Sequence, residues 1–285
     1  VPDVSAPTIA ALVDDARRAL AAAGIPEPRR EALRICADLS GIEVAAVLLG
    51  RHAEAAPAFA QRFGAAVARR AAGEPLAYVT GRAGFRRLVL ACDRRALIPR
   101  PETELLVELA LDRVGEGRAV DVGTGTGCIA LSLAAEGRFG EVVAIDRSAG
   151  ALALAAENRR RTGLRISLVR GDLVSALGSA SADLVVSNPP YLTEAEWADL
   201  DPSVRDWEPR LALPSGADGL AATIALLEDS RRVVRPGGWL ALEVDSTRAA
   251  TVARRASELG WTAVVVYGDL YGRERYVLAR RSEEP

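Results

Sequence analysis

From Arg118 onward, short apolar runs alternate with longer helical stretches, and this alternation restricts the fold more than any other feature of the chain. The spacing predicts strands over residues 119–122, 142–145, 166–169, 184–187, 239–244, 263–267 and 276–279. Near-continuous apolar strands separated by helices belong to a parallel sheet covered on both faces. The last two strands are joined only by Gly-Asp-Leu-Tyr-Gly-Arg-Glu-Arg, which is too short for a crossover helix. The final strand is therefore expected to run antiparallel, at or near the sheet edge. The expected class is α/β, with a seven-stranded, mostly parallel, Rossmann-like sheet.

The first part of the chain has a different period. Ile9, Leu12, Val13, Ala16 and Leu20 recur at helical spacing, and Gly24 with Pro26 supplies a stop. Further helices fit residues 29–39, 44–49 and 57–72. Between 76 and 98 the period shortens. Tyr78, Val79, Phe85, Leu88 and Leu90, with Gly81 and Gly84 among them, suggest a β-hairpin. Pro101 and Glu102 then suit the first turn of a Leu-rich helix. The expected division is a small helical bundle over 1–74, a β-hairpin connector over 75–98 and the α/β domain over 99–285.

Composition removes several functions. Net charge is −2 and the pI is about 5.7, which argues against direct gripping of nucleic acid by a basic field. All 36 basic residues are Arg, a bias that reads as codon usage rather than function. His52 is the only histidine, so a His-based triad or a multi-His metal centre is excluded. Cys36, Cys92 and Cys128 lie too far apart for a zinc pattern or a disulfide framework. No metal is expected, and the compartment is expected to be reducing and cytoplasmic. No apolar run approaches the ~20 residues that span a membrane, and the acidic, amphipathic start of the chain does not read as a signal peptide.

The α/β part opens with Ala-Val-Asp-Val-Gly-Thr-Gly-Thr-Gly-Cys-Ile-Ala, a strand, a turn and a helix. Gly123, Thr124, Gly125, Thr126 and Gly127 let the backbone approach a ligand at a helix N-terminus. A dinucleotide loop has the pattern G-x-G-x-x-G/A. Here Cys128 holds that last position and the third glycine comes one residue early. G-x-G-x-G preceded by Asp121 suits S-adenosylmethionine instead, whose amino-acid tail carries an ammonium. Asp146 ends the second strand, where a carboxylate can accept both ribose hydroxyls. Asp172 ends the third, placed for an adenine amino group, with Leu173 against the ring.

Ser-Asn-Pro-Pro-Tyr ends the fourth strand, in a chain whose only asparagines are Asn158 and Asn188. A planar NH2 group is a poor nucleophile because its lone pair is delocalised. A site can hold it: the Asn188 side-chain oxygen and the Pro189 carbonyl can each accept one N–H, with the backbone stiffened by proline. The face of the nitrogen is then presented to the methyl group, and Tyr191 offers a flat surface. Catalysis on this plan is positioning and electrostatics.

Asn-Pro-Pro-Tyr together with Asp-Val-Gly-Thr-Gly-Thr-Gly resembles the nitrogen-directed methyltransferases, including adenine-modifying enzymes. Residues 81–108, with Ile-Pro-Arg-Pro-Glu-Thr-Glu, and Trp-Glu-Pro-Arg-Leu-Ala-Leu-Pro-Ser-Gly-Ala-Asp-Gly-Leu at 207–220 are similar to the release-factor glutamine methyltransferases (PrmC/HemK). The resemblance covers nearly the whole chain. It implies a methyltransferase sheet that transfers a methyl group from S-adenosylmethionine to the glutamine amide in the Gly-Gly-Gln tip of peptide-chain release factors. On that basis Asn188, Pro189, Pro190 and Tyr191 hold the glutamine, and Asn188 also contacts the cofactor. The helical bundle docks the release factor, and the enzyme acts as a monomer. Two departures stand beside the motif. After Phe85 the family usually carries an aromatic and a glycine, and here stand Arg86 and Arg87. After the fifth strand it commonly has Glu, an apolar residue and Gly, with Gln three residues later; here Glu243-Val244-Asp245 is followed by Arg248. A small-molecule amide or amine, or less favourably adenine in a nucleic acid, are the other acceptors open at this point.

Overall fold

The computed structural model describes residues 6–283, so the first residues of the chain, read above as leaderless, lie outside it. The chain forms two compact units. One runs to Arg82 and takes in Pro202–Trp207; the other comprises Ala83–Asp201 and the chain from Glu208 onward. The division falls inside the segment read from sequence as the connector.

The first unit is built from α1 (Ile9–Ala22), α2 (Pro28–Ser40), α3 (Val44–Leu49), α4 (Pro57–Ala71) and α5 (Leu76–Thr80). Thr8 caps α1, its hydroxyl accepting from the Ala11 N–H. Leu20, Ala32, Ile35, Cys36 and Phe63 are buried between the helices, each large side chain contributing about 1.5–3 kcal/mol by leaving water. Arg70 grips Glu31 with two hydrogen bonds, at 2.5 and 3.1 Å, and ties α4 to α2. Tyr78 and Val79, expected in a strand, lie in α5. Arg69 donates to their carbonyls at 3.1 and 3.4 Å, and these helix-end acceptors favour a helical turn over a strand.

The hairpin is β1 (Arg82–Phe85) and β2 (Leu88–Ala91). Arg86 makes its turn at φ +49°. It donates to both carboxylate oxygens of Glu136 at 2.7 Å, to the Glu104 carboxylate at 2.9 Å through its backbone N–H, and to the Glu104 carbonyl at 2.8 Å. The first departure from the family pattern is thus a structural anchor of the hairpin.

The sheet contains β3 (Glu116–Val122), β4 (Arg138–Asp146), β5 (Ser167–Arg170), β6 (Ala182–Ser187), β7 (Val234–Glu243), β8 (Trp261–Gly268) and β9 (Glu274–Arg281). Their order is β5-β4-β3-β6-β7-β9-β8. The first five are parallel, and β9 runs antiparallel to both neighbours. The final strand thus lies one place in from the edge, which β8 forms. Most strands extend beyond their apolar runs. β7 starts at Val234 rather than Trp239, because Arg-Pro-Gly-Gly continues along β6 across a register shift between Ala182 and Leu184.

Between the strands run α6 (Pro101–Arg113), α7 (Cys128–Glu136), α8 (Ala149–Thr162) and the short α9 (Glu194–Ala198). The short α10 (Pro202–Arg205), which belongs to the first unit, precedes α11 (Ala221–Val233) and α12 (Ala249–Glu258). Side chains alternate between the faces. Val120, Val185, Leu240 and Leu242 pack with α11 and α12, while Ala119, Leu184, Val186 and Ala241 pack with α6 and α7. Among the described residues no helix is long and apolar enough to cross a membrane.

Candidate active site

The sheet register sets the site. Val122 pairs with Ile145 on one side and with Ser187 on the other. The next residues, Gly123, Asp146 and Asn188, therefore emerge side by side at the carboxyl rim, where open α/β sheets bind ligands. Asp146 pairs in turn with Arg170, and Ser187 with Leu242. Asp172 and Glu243 follow those partners, so five strand ends share one rim.

The glycine loop folds back over β4: the Gly123 and Thr124 N–H groups both donate to the Ile145 carbonyl at 2.9 Å. Gly123 has φ +73°, and a Cβ there would meet nothing within 4 Å. Its glycine is required by the backbone angle, and the space before it is open. Asp121 is wholly buried. One oxygen accepts from the Thr124 hydroxyl at 2.6 Å and from the Ala130 N–H at 3.1 Å; the other, Oδ1, has no partner among the described residues. Burial pushes its pKa up to about 7, against the pull of those two hydrogen bonds. Asp146 accepts from the Gly125 N–H at 2.9 Å and from the Ser148 N–H at 2.8 Å. It thereby shapes the loop while each oxygen keeps a further lone pair. Asn158 is fully buried and reaches the Thr126 carbonyl at 2.9 Å while exchanging two hydrogen bonds with Ala91. It fixes Thr126 and Gly127 against β2.

Asp172 stands apart from this group. It is exposed and lies three strand spacings from Asn188, roughly 14 Å. Leu173 beside it has φ +47°, a left-handed conformation costly for a branched side chain and held only where surroundings impose it.

On the other side of the loop, the Ser187 hydroxyl donates to the Val122 carbonyl at 2.7 Å and locks β6 to β3. The Asn188 side-chain nitrogen donates to the Thr103 hydroxyl at 3.0 Å. Among the described residues, no donor reaches Asn188 Oδ1 or the Pro189 carbonyl. Pro189 is buried and Pro190 half-buried. The Tyr191 phenol has its pKa pushed up to about 12, mainly by burial and then by the charge of Glu243, so it stays neutral. The chain leaving Tyr191 is pinned. Leu192 exchanges backbone hydrogen bonds with Leu213 and Ser215 at 3.0 and 2.8 Å, and Thr193 and Glu196 form a capping box on α9. A Cβ on Gly219 would lie 2.4 Å from the Tyr191 carbonyl oxygen, so only glycine fits against the motif.

Sequence reasoning missed several neighbours. Thr103 and Arg100 come from Pro-Arg-Pro-Glu-Thr, and Glu208 from Trp-Glu-Pro-Arg. Glu208 is buried and accepts from Arg100 at 2.6 Å and from the Ile98 N–H at 3.1 Å. The two most specific motifs of the chain therefore hold each other; their specificity was the available signal. Glu243 is 1% exposed, and burial raises its pKa to about 7, opposed by a hydrogen bond from Thr103 and the charge of Arg275. Its Oε2 has no partner among the described residues. Arg248, the second departure, bonds both oxygens of Glu196 and the Asp218 carbonyl. Arg86 and Arg248 are both taken up by carboxylates of this chain, Glu136 and Glu196.

A glycine loop on a seven-stranded sheet with β9 reversed is the architecture of a methyltransferase. Residues 101–200 match the family model described as methyltransferase small domain, and residues 11–81 match that of the PrmC N-terminal domain. A solved methyltransferase from Pyrococcus furiosus shares the fold at 19% identity with a TM-score of 0.52, over 68% of this chain and 88% of that one. The Thermus thermophilus 16S rRNA N2 G1207 methyltransferase, solved in complex with AdoMet and guanosine, shares it at 18% identity and a TM-score of 0.51, over 70% of this chain and 49% of that one. The release factor glutamine methyltransferase of Nitratidesulfovibrio vulgaris is 42% identical over 96% of this chain and 96% of its own. That of Deinococcus radiodurans is 43% identical over 95% and 98%. The chain belongs to the release factor glutamine methyltransferase family.

Proposed function

We propose that this enzyme methylates the side-chain amide nitrogen of the glutamine in the Gly-Gly-Gln motif of peptide-chain release factors, with S-adenosylmethionine as donor. The observation that carries the proposal is the pair of open acceptors, Asn188 Oδ1 and the Pro189 carbonyl, beside Gly123 at the same rim. A primary amide has two N–H bonds to give them.

The cofactor fits residues of this chain. Asp121 Oδ1 is a buried acceptor without a donor among the described residues, suited to an ammonium, and the space before Gly123 is open. Residues Gly123, Thr124, Gly125, Thr126 and Gly127 would carry the amino-acid tail, Asp146 the ribose hydroxyls, and Asp172 with Leu173 the adenine. S-adenosylmethionine supplies an electrophilic methyl group on a sulfonium. Asn188 and Pro189 hold the amide nitrogen and stabilise the positive charge that develops there. Pro190 and the neutral Tyr191 ring wall the slot. The proton leaves after transfer, since a planar amide has none that a side chain removes easily beforehand. No metal is needed. Residues 1–74 would dock the release factor, joined by the connector at 75–98, and the enzyme would act as a cytoplasmic monomer.

The test is transfer of labelled methyl to a purified release factor, to its Gly-Gly-Ala variant and to DNA. Label on the intact factor alone is expected. Equal label on the variant, or label only on DNA, would overturn the proposal.

A further inference from the structure

We propose that Thr103 and Glu243 are positioning residues that decide which end of the Asn188 amide faces the substrate. This rests on the assignment of Asn188 to the substrate amide. The oxygen and nitrogen ends of an asparagine occupy nearly the same volume, so packing alone does not choose between them. Hydrogen bonding chooses here. Asn188 Nδ2 donates to Thr103 Oγ1 at 3.0 Å. Thr103 is 3% exposed, so water does not compete for its hydroxyl. Glu243, buried at the end of β7, is the acid beside Thr103 and offers the hydroxyl hydrogen an acceptor. A hydroxyl so committed presents only lone pairs to its other neighbour, and it accepts from Nδ2. Reversing the amide would set Oδ1 against those lone pairs and aim an N–H at the incoming substrate N–H.

The frame around this relay is rigid. Glu243 lies opposite Tyr276 in the β7–β9 register, and the Tyr276 hydroxyl donates to the Glu102 carbonyl at 2.7 Å. The Val244 N–H donates to the Arg275 carbonyl at 2.8 Å. The end of β7 and the first turn of α6 are therefore locked to each other. Retaining an ionisable side chain 1% exposed, with Oε2 unpartnered among the described residues, is costly where an apolar residue would pack more cheaply. Fixing the orientation of a catalytic amide accounts for that cost.

The chain has two asparagines and one glutamine, so an isotope-labelled sample gives a separate side-chain NH2 signal for each of Asn158, Asn188 and Gln61. The test substitution is Thr103→Val, which removes the hydroxyl at nearly constant volume. The Asn188 pair should shift and lose protection from solvent exchange, while the Asn158 pair, bonded to Ala91 and Thr126, stays in place as the fold control. For transfer to a release factor, kcat should fall about tenfold to thirtyfold, with KM and the cofactor Kd within about threefold. Thr103→Ser should restore both readouts, and Glu243→Leu should reproduce the loss. An unmoved Asn188 pair, or wild-type kcat in Thr103→Val, overturns the proposal. Should wild-type enzyme fail to methylate a release factor, the substrate assignment falls, while the Asn188 signal still reports on the relay.

Discussion

Arg248 holds Glu196 by both carboxylate oxygens, at 2.9 and 2.8 Å, and so fastens the start of α12 to the helix that follows the Asn-Pro-Pro-Tyr segment. Its Nε also donates to the Asp218 carbonyl at 2.7 Å, beside Gly219 and the Tyr191 carbonyl. Glu196 is partly exposed, so the ion pair itself adds only about 0–1 kcal/mol to stability. Its value lies in the loop it stills. Arg248→Ala should lower kcat/KM about tenfold with little change in Tm. A variant as active as wild type would show that the clamp is dispensable.

Asn188→Ala should abolish most transfer and leave cofactor affinity within about tenfold, because the lost contacts form mainly in the transition state. Calorimetry with S-adenosylhomocysteine and single-turnover kinetics separate the two effects. Full activity in that variant is incompatible with the mechanism.

Asp146→Ala should do the reverse. The carboxylate supports Gly125 and Ser148 and is assigned the ribose hydroxyls, so cofactor Kd should rise about tenfold to a hundredfold. Retention of wild-type Kd by calorimetry would remove Asp146 from the cofactor site.

Asp121 gives a pH dependence with a definite sign. Burial raises its pKa to about 7 in the folded protein, against about 3.9 when unfolded. The folded state thus binds the proton more tightly, and the stability this contributes is complete below about pH 4 and lost as pH rises through about 7. Glu243, also raised to about 7, acts in the same direction. The carboxyls of Asp93, Glu136 and Glu196 are lowered by their Arg partners or by hydrogen bonds, and titrate below this window. Tm of the cofactor-free protein should fall between about pH 5.5 and 8. Asp121→Asn should flatten that slope, and a saturating cofactor product, bringing an ammonium to Oδ1, should reduce it too. A Tm that rises with pH across the same range contradicts the assignment.

Much of the α/β unit was legible because buried parallel strands must be apolar throughout. The chemistry at the rim was legible because glycine, aspartate and asparagine sit at strand ends in quick succession. Strand order was not: nothing local says that β9 inserts between β7 and β8. Nor was the full length of β7, since Arg-Pro-Gly-Gly reads as a turn until a partner strand is known. Tyr78 and Val79 carried strand propensity that Arg69 and the neighbouring helices overrode. Thr103 is 85 residues from Asn188, and no spacing rule connects a helix-start threonine to a strand-end amide. Arg86 and Arg248 looked like signs of a changed substrate because sequence shows a substitution without its partners; those partners are Glu104 and Glu136 for one, Glu196 for the other.

The most direct measurement is a crystal structure with S-adenosylhomocysteine and a Gly-Gly-Gln peptide. The expected result has the glutamine side-chain nitrogen within about 3 Å of both Asn188 Oδ1 and the Pro189 carbonyl oxygen, facing the cofactor sulfur. A glutamine bound elsewhere, or an Asn188 oxygen turned away from it, would contradict the account.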